Sequence, residues 1–123
     1  MNIQEDYVSF ETAKLLKEKG FDEECYTCYV IDEIQHYDYK SRNSELITGI
    51  ISAPTLQMAM KWLREIHNRY VEICMDKAHN FKDIVFRPTI YDNDLDCLWE
   101  SDNFSTYEQA CEAAIKHCLE HLI

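Results

Sequence analysis

The scarcity of glycine restricts most strongly what this chain can fold into. Only Gly20 and Gly49 occur among 123 residues, whereas the average usage of about 7% would give roughly nine. Loops that cradle phosphates, in dinucleotide-binding proteins and P-loop proteins alike, need several closely spaced glycines. The sequence therefore excludes nucleotide-dependent chemistry by these common routes, and we expect no cofactor.

The charge balance restricts the partners. The chain carries a net charge of −11, from 23 acidic and 12 basic side chains, and both halves are acidic. Nucleic-acid binding depends on Lys and Arg that displace counterions from phosphates. We therefore predict no direct nucleic-acid binding and a protein partner instead.

The apolar runs, the first residues and the cysteine content together predict the cellular compartment. No apolar run approaches the ~20 residues that cross a bilayer, and the first residues lack the basic and apolar regions of a signal peptide. We expect a cytoplasmic protein that does not contact membranes. In a reducing compartment the six cysteines are expected to be free thiols that act as small apolar residues.

Helix and strand patterns alternate along the chain. Ser9 is placed to cap a helix that Gly20 ends, with Phe21 folding back on it. Residues 25–40 read as two strands that turn near Asp32 and Glu33. The remaining predicted elements are a helix over 55–68, strands over 70–75, 83–91 and 95–99, and a last helix capped by Ser105 with Glu108 in a capping box.

These elements predict a fold class. Their order is α-β-β-α-β-β-β-α, and no linker or repeat separates them. We expect one α+β domain over residues 1–123, with three helices and a mostly antiparallel sheet. Pro88 suggests an edge strand or a bulge, Asp92 and Asn93 suit a tight turn, and residues 41–52 are left unassigned as a variable loop.

Three segments carry a family resemblance. They are YVSFETAKLLKEKGF, SAPTLQMAMKWLREIHN and STYEQACEAAIKHCLEHLI, about half of the chain. In them the chain resembles a small uncharacterised protein family of Bacteroides-type gut bacteria and their phages or prophages. The resemblance implies an intracellular origin in a mobile element, and it supplies no activity and no catalytic residues.

Two cysteine and histidine spacings are candidates for metal or redox sites. Cys25 and Cys28 form one CxxC, but a structural zinc site takes four ligands, and residues three apart on a strand point to opposite faces. His117 and His121 lie one helical turn apart, without the glutamate of a zinc-protease motif. Packing is the favoured reading of all four residues, so we expect no metal. A metal-dependent or thiol-dependent enzyme is the weakest alternative.

Tyrosines give the strongest functional signal. Tyr and Trp are enriched in protein interfaces because they bury a large area at a low cost in side-chain entropy and keep a polar tip. Four tyrosines in one predicted hairpin favour a contact surface over simple core packing. The candidate interaction residues are Tyr26, Tyr29, Tyr37, Tyr39 and Trp99.

Two function classes follow. The first is a non-catalytic module that binds a bacterial or phage protein, or a second copy of itself. The second is an acidic inhibitor that mimics DNA and occupies a host DNA-binding protein or nuclease. Its carboxylates would be Asp92, Asp94, Asp96, Glu100 and Asp102. No nucleophile motif supports an enzyme, although the sequence leaves open a meeting of Cys74, His67 and Asp76 in space.

Overall fold

The computed structural model describes residues 3–123 and confirms the α+β class and the predicted order of elements, with one additional short strand. Two three-stranded antiparallel sheets form, with strand orders β2-β1-β3 and β4-β5-β6. The helices are α1 (Phe10–Glu18), α2 (Leu56–His67) and α3 (Tyr107–His121), and the strands are β1 (Cys25–Val30), β2 (Glu33–Ser41), β3 (Ile50–Ser52), β4 (Tyr70–Lys77), β5 (Ile84–Tyr91) and β6 (Cys97–Glu100).

The chain divides into two compact units that meet in sequence between Ala59 and Met60, within α2. The first unit holds α1 and β1 to β3, and the second holds β4 to β6 and α3. The single domain over 1–123 stays a prediction. Among the described residues, no helix combines the length and the apolarity that a membrane crossing requires.

Helix α1 begins and ends as predicted. The Ser9 hydroxyl accepts a hydrogen bond from the Thr12 amide, 3.2 Å away. Gly20 adopts the left-handed conformation with φ of 94°, and the Phe21 amide donates back to the Leu16 carbonyl. Phe21 is 1% exposed, so the turn after the helix also contributes a core side chain.

Residues 41–52 are more ordered than a variable loop. They contain a single 3-10 turn at Asn43–Glu45 and the strand β3. The buried Asn43 side chain donates to the Phe21 carbonyl at 2.8 Å and accepts from the Ser52 amide at 2.9 Å. One asparagine thus joins the end of α1 to β3. The sequence pattern missed this because the bonds link residues far apart in the chain.

Pro88 lies in a different kind of strand from the one expected. Its strand, β5, is the central strand of its sheet, so the prediction of an edge strand is wrong. The pairing of β5 with β6 does contain a register irregularity, which lies two residues further on, between Ile90 and Tyr91. The Pro88 carbonyl accepts from Ser101, just beyond β6. The backbone nitrogen and carbonyl of one strand residue face the same neighbouring strand. The side of β5 on which Pro88 lacks an N–H therefore faces residues that come after the end of β6.

Helix α3 covers its sheet through contacts with β5 and β4. Its cap is Thr106 rather than the predicted Ser105, because the Thr106 hydroxyl accepts from the Gln109 amide. The Ser105 hydroxyl instead donates to the Gln109 side chain. The helix buries one apolar face, whose fully buried members are Ala110, Cys111, Ala114, Ile115, Cys118 and Leu119.

The turn between β5 and β6 forms at the predicted place, but β6 starts two residues later than expected. One Asp92 side-chain oxygen accepts from the amides of Asp94 and Asp96. The Asp92 amide also donates to the Asp96 carbonyl. Leu95, predicted as strand, is therefore part of the turn, with φ of 65°.

Candidate functional site

Four of the five candidate interaction residues lie in the β1–β2 hairpin, whose pairing is irregular. Cys25 pairs with Ser41 and Thr27 pairs with His36. Residues 37–40 of β2 therefore lie opposite Tyr26 alone. The surplus residues cannot pair in register, so this part of β2, which we call the β2 bulge, projects at the edge of the sheet. Bulges of this kind re-aim side chains near functional sites.

The bulge presents a pair of aromatic rings. The ring centroids of Tyr37 and Tyr39 are 5.2 Å apart with planes tilted by 44°, within the range of favourable aromatic contacts. Tyr39 is 60% exposed and Tyr26 is 53% exposed. The Lys40 ammonium lies 5.3 Å from the centre of the Tyr26 ring, a cation–π contact that holds this ring on the outside.

Tyr29 has a different role. Its hydroxyl donates a hydrogen bond of 2.7 Å to the Val8 carbonyl, and its ring meets the edge of Phe10 at 5.5 Å. Val8 is fully buried. Tyr29 therefore holds the segment before α1 on the sheet, and only part of its ring is available to a partner.

Trp99 lies in the second unit, where it packs on α3. Its ring stacks on His117 with centroids 4.3 Å apart and planes 13° apart, and the rings of His117 and His121 are 4.7 Å apart. Burial, followed by the neighbouring His121, lowers the pKa of His117. Burial and the neighbouring His121 both disfavour the charged imidazolium, so the stack on Trp99 favours the neutral His117 ring.

The cysteines have the electrostatics of packing residues. All six are free, and Cys25, Cys28, Cys111 and Cys118 are buried. Burial raises the pKa of Cys25 to about 12 and the pKa of both Cys111 and Cys118 to about 11. Thiolate chemistry requires the opposite shift.

Cys25 and Cys28 differ in their polar neighbours. The Cys25 sulfur donates to the Glu23 carbonyl at 3.7 Å, whereas the Cys28 sulfur lies 3.8 Å from the Ser41 hydroxyl. Elsewhere, the Cys74 thiol donates to the Glu72 carboxylate at 3.2 Å, which raises the pKa of Cys74. The bond to Glu72 thus favours the protonated Cys74 thiol.

Beside the hairpin lies a groove that sequence reasoning missed. Its volume is about 140 Å³, below the range of typical small-molecule pockets. The Thr27 hydroxyl lies 3.0 Å from His36 Nδ1, and the His36 ring is 5.3 Å from that of Tyr7. The groove can accept one side chain of a partner, and it is lined by Tyr7, Glu24, Cys25, Tyr26, Thr27, Ala53, Pro54, Thr55 and Met58.

Three of the five carboxylates proposed for DNA mimicry gather at the β5–β6 turn, whereas Glu100 ends β6 and Asp102 lies beyond it. One side-chain oxygen from each of Asp92, Asp94 and Asp96 lies within 4.8 Å of the others, the only such convergence of three metal-ligand side chains among residues 3–123. Asp92 is engaged in the turn, and Glu100 lies 3.5 Å from Arg87. The three aspartates thus form a compact cluster, and the ion pair with Arg87 compensates only Glu100.

No family model matches the chain, and neither does any curated protein or solved structure.

Proposed function

We propose that the chain is a non-catalytic module that binds another protein through the β2 bulge and Tyr26. The observation that carries the proposal is the unequal pairing of β1 and β2, which places the Tyr37–Tyr39 pair at an exposed sheet edge. Aromatic anchors dominate the binding energy of many interfaces. An exposed edge strand otherwise invites uncontrolled pairing, and a bulge limits this by disturbing the edge backbone. Recognition here then depends on side chains.

The proposal includes the setting that the sequence predicts. The partner is a bacterial or phage protein, or a second copy of the chain, and it is met in the cytoplasm. The family resemblance supports a phage or prophage origin. The charge of −11 supports a partner that is neither nucleic acid nor an anionic membrane.

Affinity capture from the natural host, read by quantitative mass spectrometry, tests the proposal. The double variant Tyr37→Ser, Tyr39→Ser should lose the captured partner, because both rings are removed without disturbing buried groups. Phe81→Ser is the matched control, since it removes a ring that is 76% exposed outside the hairpin. Equal capture by all three proteins would contradict the proposal, as would loss in the control alone.

The acidic inhibitor remains a second candidate because of the exposed aspartates at the β5–β6 turn. It predicts a basic DNA-binding partner whose affinity falls steeply between low and physiological salt. It also predicts that Asp94→Asn together with Asp96→Asn weakens binding, while the tyrosine double variant does not. The two candidates therefore give opposite results with the same two variants.

A further inference from the structure

The β1–β2 turn holds an isoleucine where a glycine is favoured. Ile31 has φ of 64°, a conformation that a β-branched residue adopts only under strain. Ile31 and Asp32 form a two-residue turn between the paired residues Val30 and Glu33. With a positive φ at the first position alone, such a turn normally takes glycine there. The side chain is nevertheless 74% exposed, so packing does not account for the choice of residue.

A second exposed isoleucine lies at the same end of this sheet. The Ile31 amide donates to the Gly49 carbonyl at 2.9 Å, which sets the β1–β2 turn beside the turn that leads into β3. That turn carries Ile47, which is 72% exposed. We call this end of the sheet the isoleucine end. Next to it lies a concavity of about 410 Å³ lined by Val30, Ile31, Asp32, Glu33, Gln35 and Tyr37.

The charge around the isoleucine end has one sign. Residues 25–39 and 43–60 contain no Lys or Arg. At the turn itself they contain Asp32 and Glu33, which are both exposed and line the concavity. An apolar surface with an acidic rim is complementary to apolar side chains flanked by Lys or Arg. A second copy would bring Asp32 and Glu33 against the same carboxylates, which disfavours self-pairing here.

We propose that the isoleucine end binds a protein segment that presents apolar side chains between Lys or Arg residues, with Ile31 as the anchor. The proposal rests on the proposed function and names the chemistry of the partner. Tyr37 lines the concavity and belongs to the β2 bulge, so the isoleucine end extends the proposed contact surface. The strained backbone is retained because it keeps the Ile31 side chain outside, where the partner meets it.

The probe is a synthetic peptide of alternating leucine and lysine, titrated into ¹⁵N-labelled protein and followed by amide chemical shifts. We expect saturable shifts concentrated at residues 30–33 and 47–50. Ile31→Gly should weaken this binding about tenfold. The same change should leave the melting temperature unchanged or raise it, because glycine adopts this φ without strain.

Leu95→Gly is the matched control. Leu95 is also apolar, 78% exposed and at a positive φ in a hairpin turn, but it lies in the second unit. The control should bind the peptide like the wild type. Equal affinity of Ile31→Gly and wild type would overturn the proposal, as would shifts centred on other acidic surfaces. Equal binding of a serine–lysine peptide, which tests charge alone, would overturn it too.

Three further outcomes show whether this proposal fails alone or together with the proposed function. Sedimentation velocity that shows a dimer lost in Ile31→Gly would overturn the basic partner in favour of a second copy. If the tyrosine double variant loses the host partner while Ile31→Gly retains it, the isoleucine end is not the contact and the interaction module stands. If both variants retain the host partner, both proposals fail.

Discussion

The hydroxyl of Tyr29 donates a 2.7 Å hydrogen bond to the carbonyl of Val8, which is fully buried. This bond separates Tyr29 from the other hairpin tyrosines, because it ties the ring to the segment that precedes α1. We expect Tyr29→Phe to lower the free energy of unfolding by about 1 kcal/mol, since a buried carbonyl loses its donor. Urea denaturation followed by circular dichroism measures this.

Partner capture gives the second readout for Tyr29→Phe. The variant should capture the host partner as the wild type does, because the hydroxyl faces inward. An unchanged stability together with lost capture would show that Tyr29 is a contact residue and not a structural one.

Asn43 should be among the most sensitive polar residues of the first unit. Its side chain satisfies the Phe21 carbonyl and the Ser52 amide. Asn43→Ala leaves both groups without this partner, and we expect a loss of about 2–4 kcal/mol in the free energy of unfolding. Thr48→Ala, an exposed change in the same segment, is the control and should shift it by less than about 0.5 kcal/mol. Equal effects of the two changes would contradict the stabilising role of the Asn43 side chain.

The His117 stack predicts a dependence of stability on pH. Burial lowers the pKa of His117 below its ordinary value of 6.5, so the unfolded chain binds a proton more readily than the folded chain. The stability should therefore fall as the pH drops from about 7 through 6.5 toward the folded pKa. His117→Phe keeps a ring on Trp99 but does not titrate, and its stability should change less over the same range.

NMR titration of the histidine rings provides a direct check. The His117 resonance should titrate below pH 6.5, with His121 and Glu120 as the charged neighbours that influence it. A titration midpoint above 6.5 would contradict a half-buried ring that favours its neutral form.

Thiol reactivity tests the packing role of the cysteines. In the folded protein iodoacetamide should modify the exposed Cys97 first, and Cys25, Cys28, Cys111 and Cys118 should stay unmodified because they are buried. Unfolding in urea should make all six cysteines reactive. In Cys97→Ser the fast reaction should disappear. Rapid modification of Cys25 in the folded protein would indicate an activated thiol.

Local signals in the sequence were sufficient for the helices and for most strands. Ser9 and Gly20 mark the start and the end of α1, because capping and the left-handed turn are decided within a few residues. Two of the errors arose where residues far apart in the chain decide the local structure. Asn43 orders residues 41–52 through bonds to Phe21 and Ser52, and Pro88 is tolerated in a central strand because of where β6 ends.

The candidate surface was predictable in composition but not in geometry. The density of tyrosines singled out the hairpin, while the register that sets residues 37–40 against Tyr26 could not be read from alternation. Ile31 carried no signal at all, since its exposure and its φ become visible only in the folded chain.

Amide hydrogen exchange of the protein bound to its captured partner tests the central claim most directly. Partner binding should slow exchange at residues 30–33 and in the β2 bulge, and leave the β5–β6 turn and α3 unchanged. Slowed exchange confined to residues 92–102 or to α3, with the β2 bulge unaffected, would contradict the account.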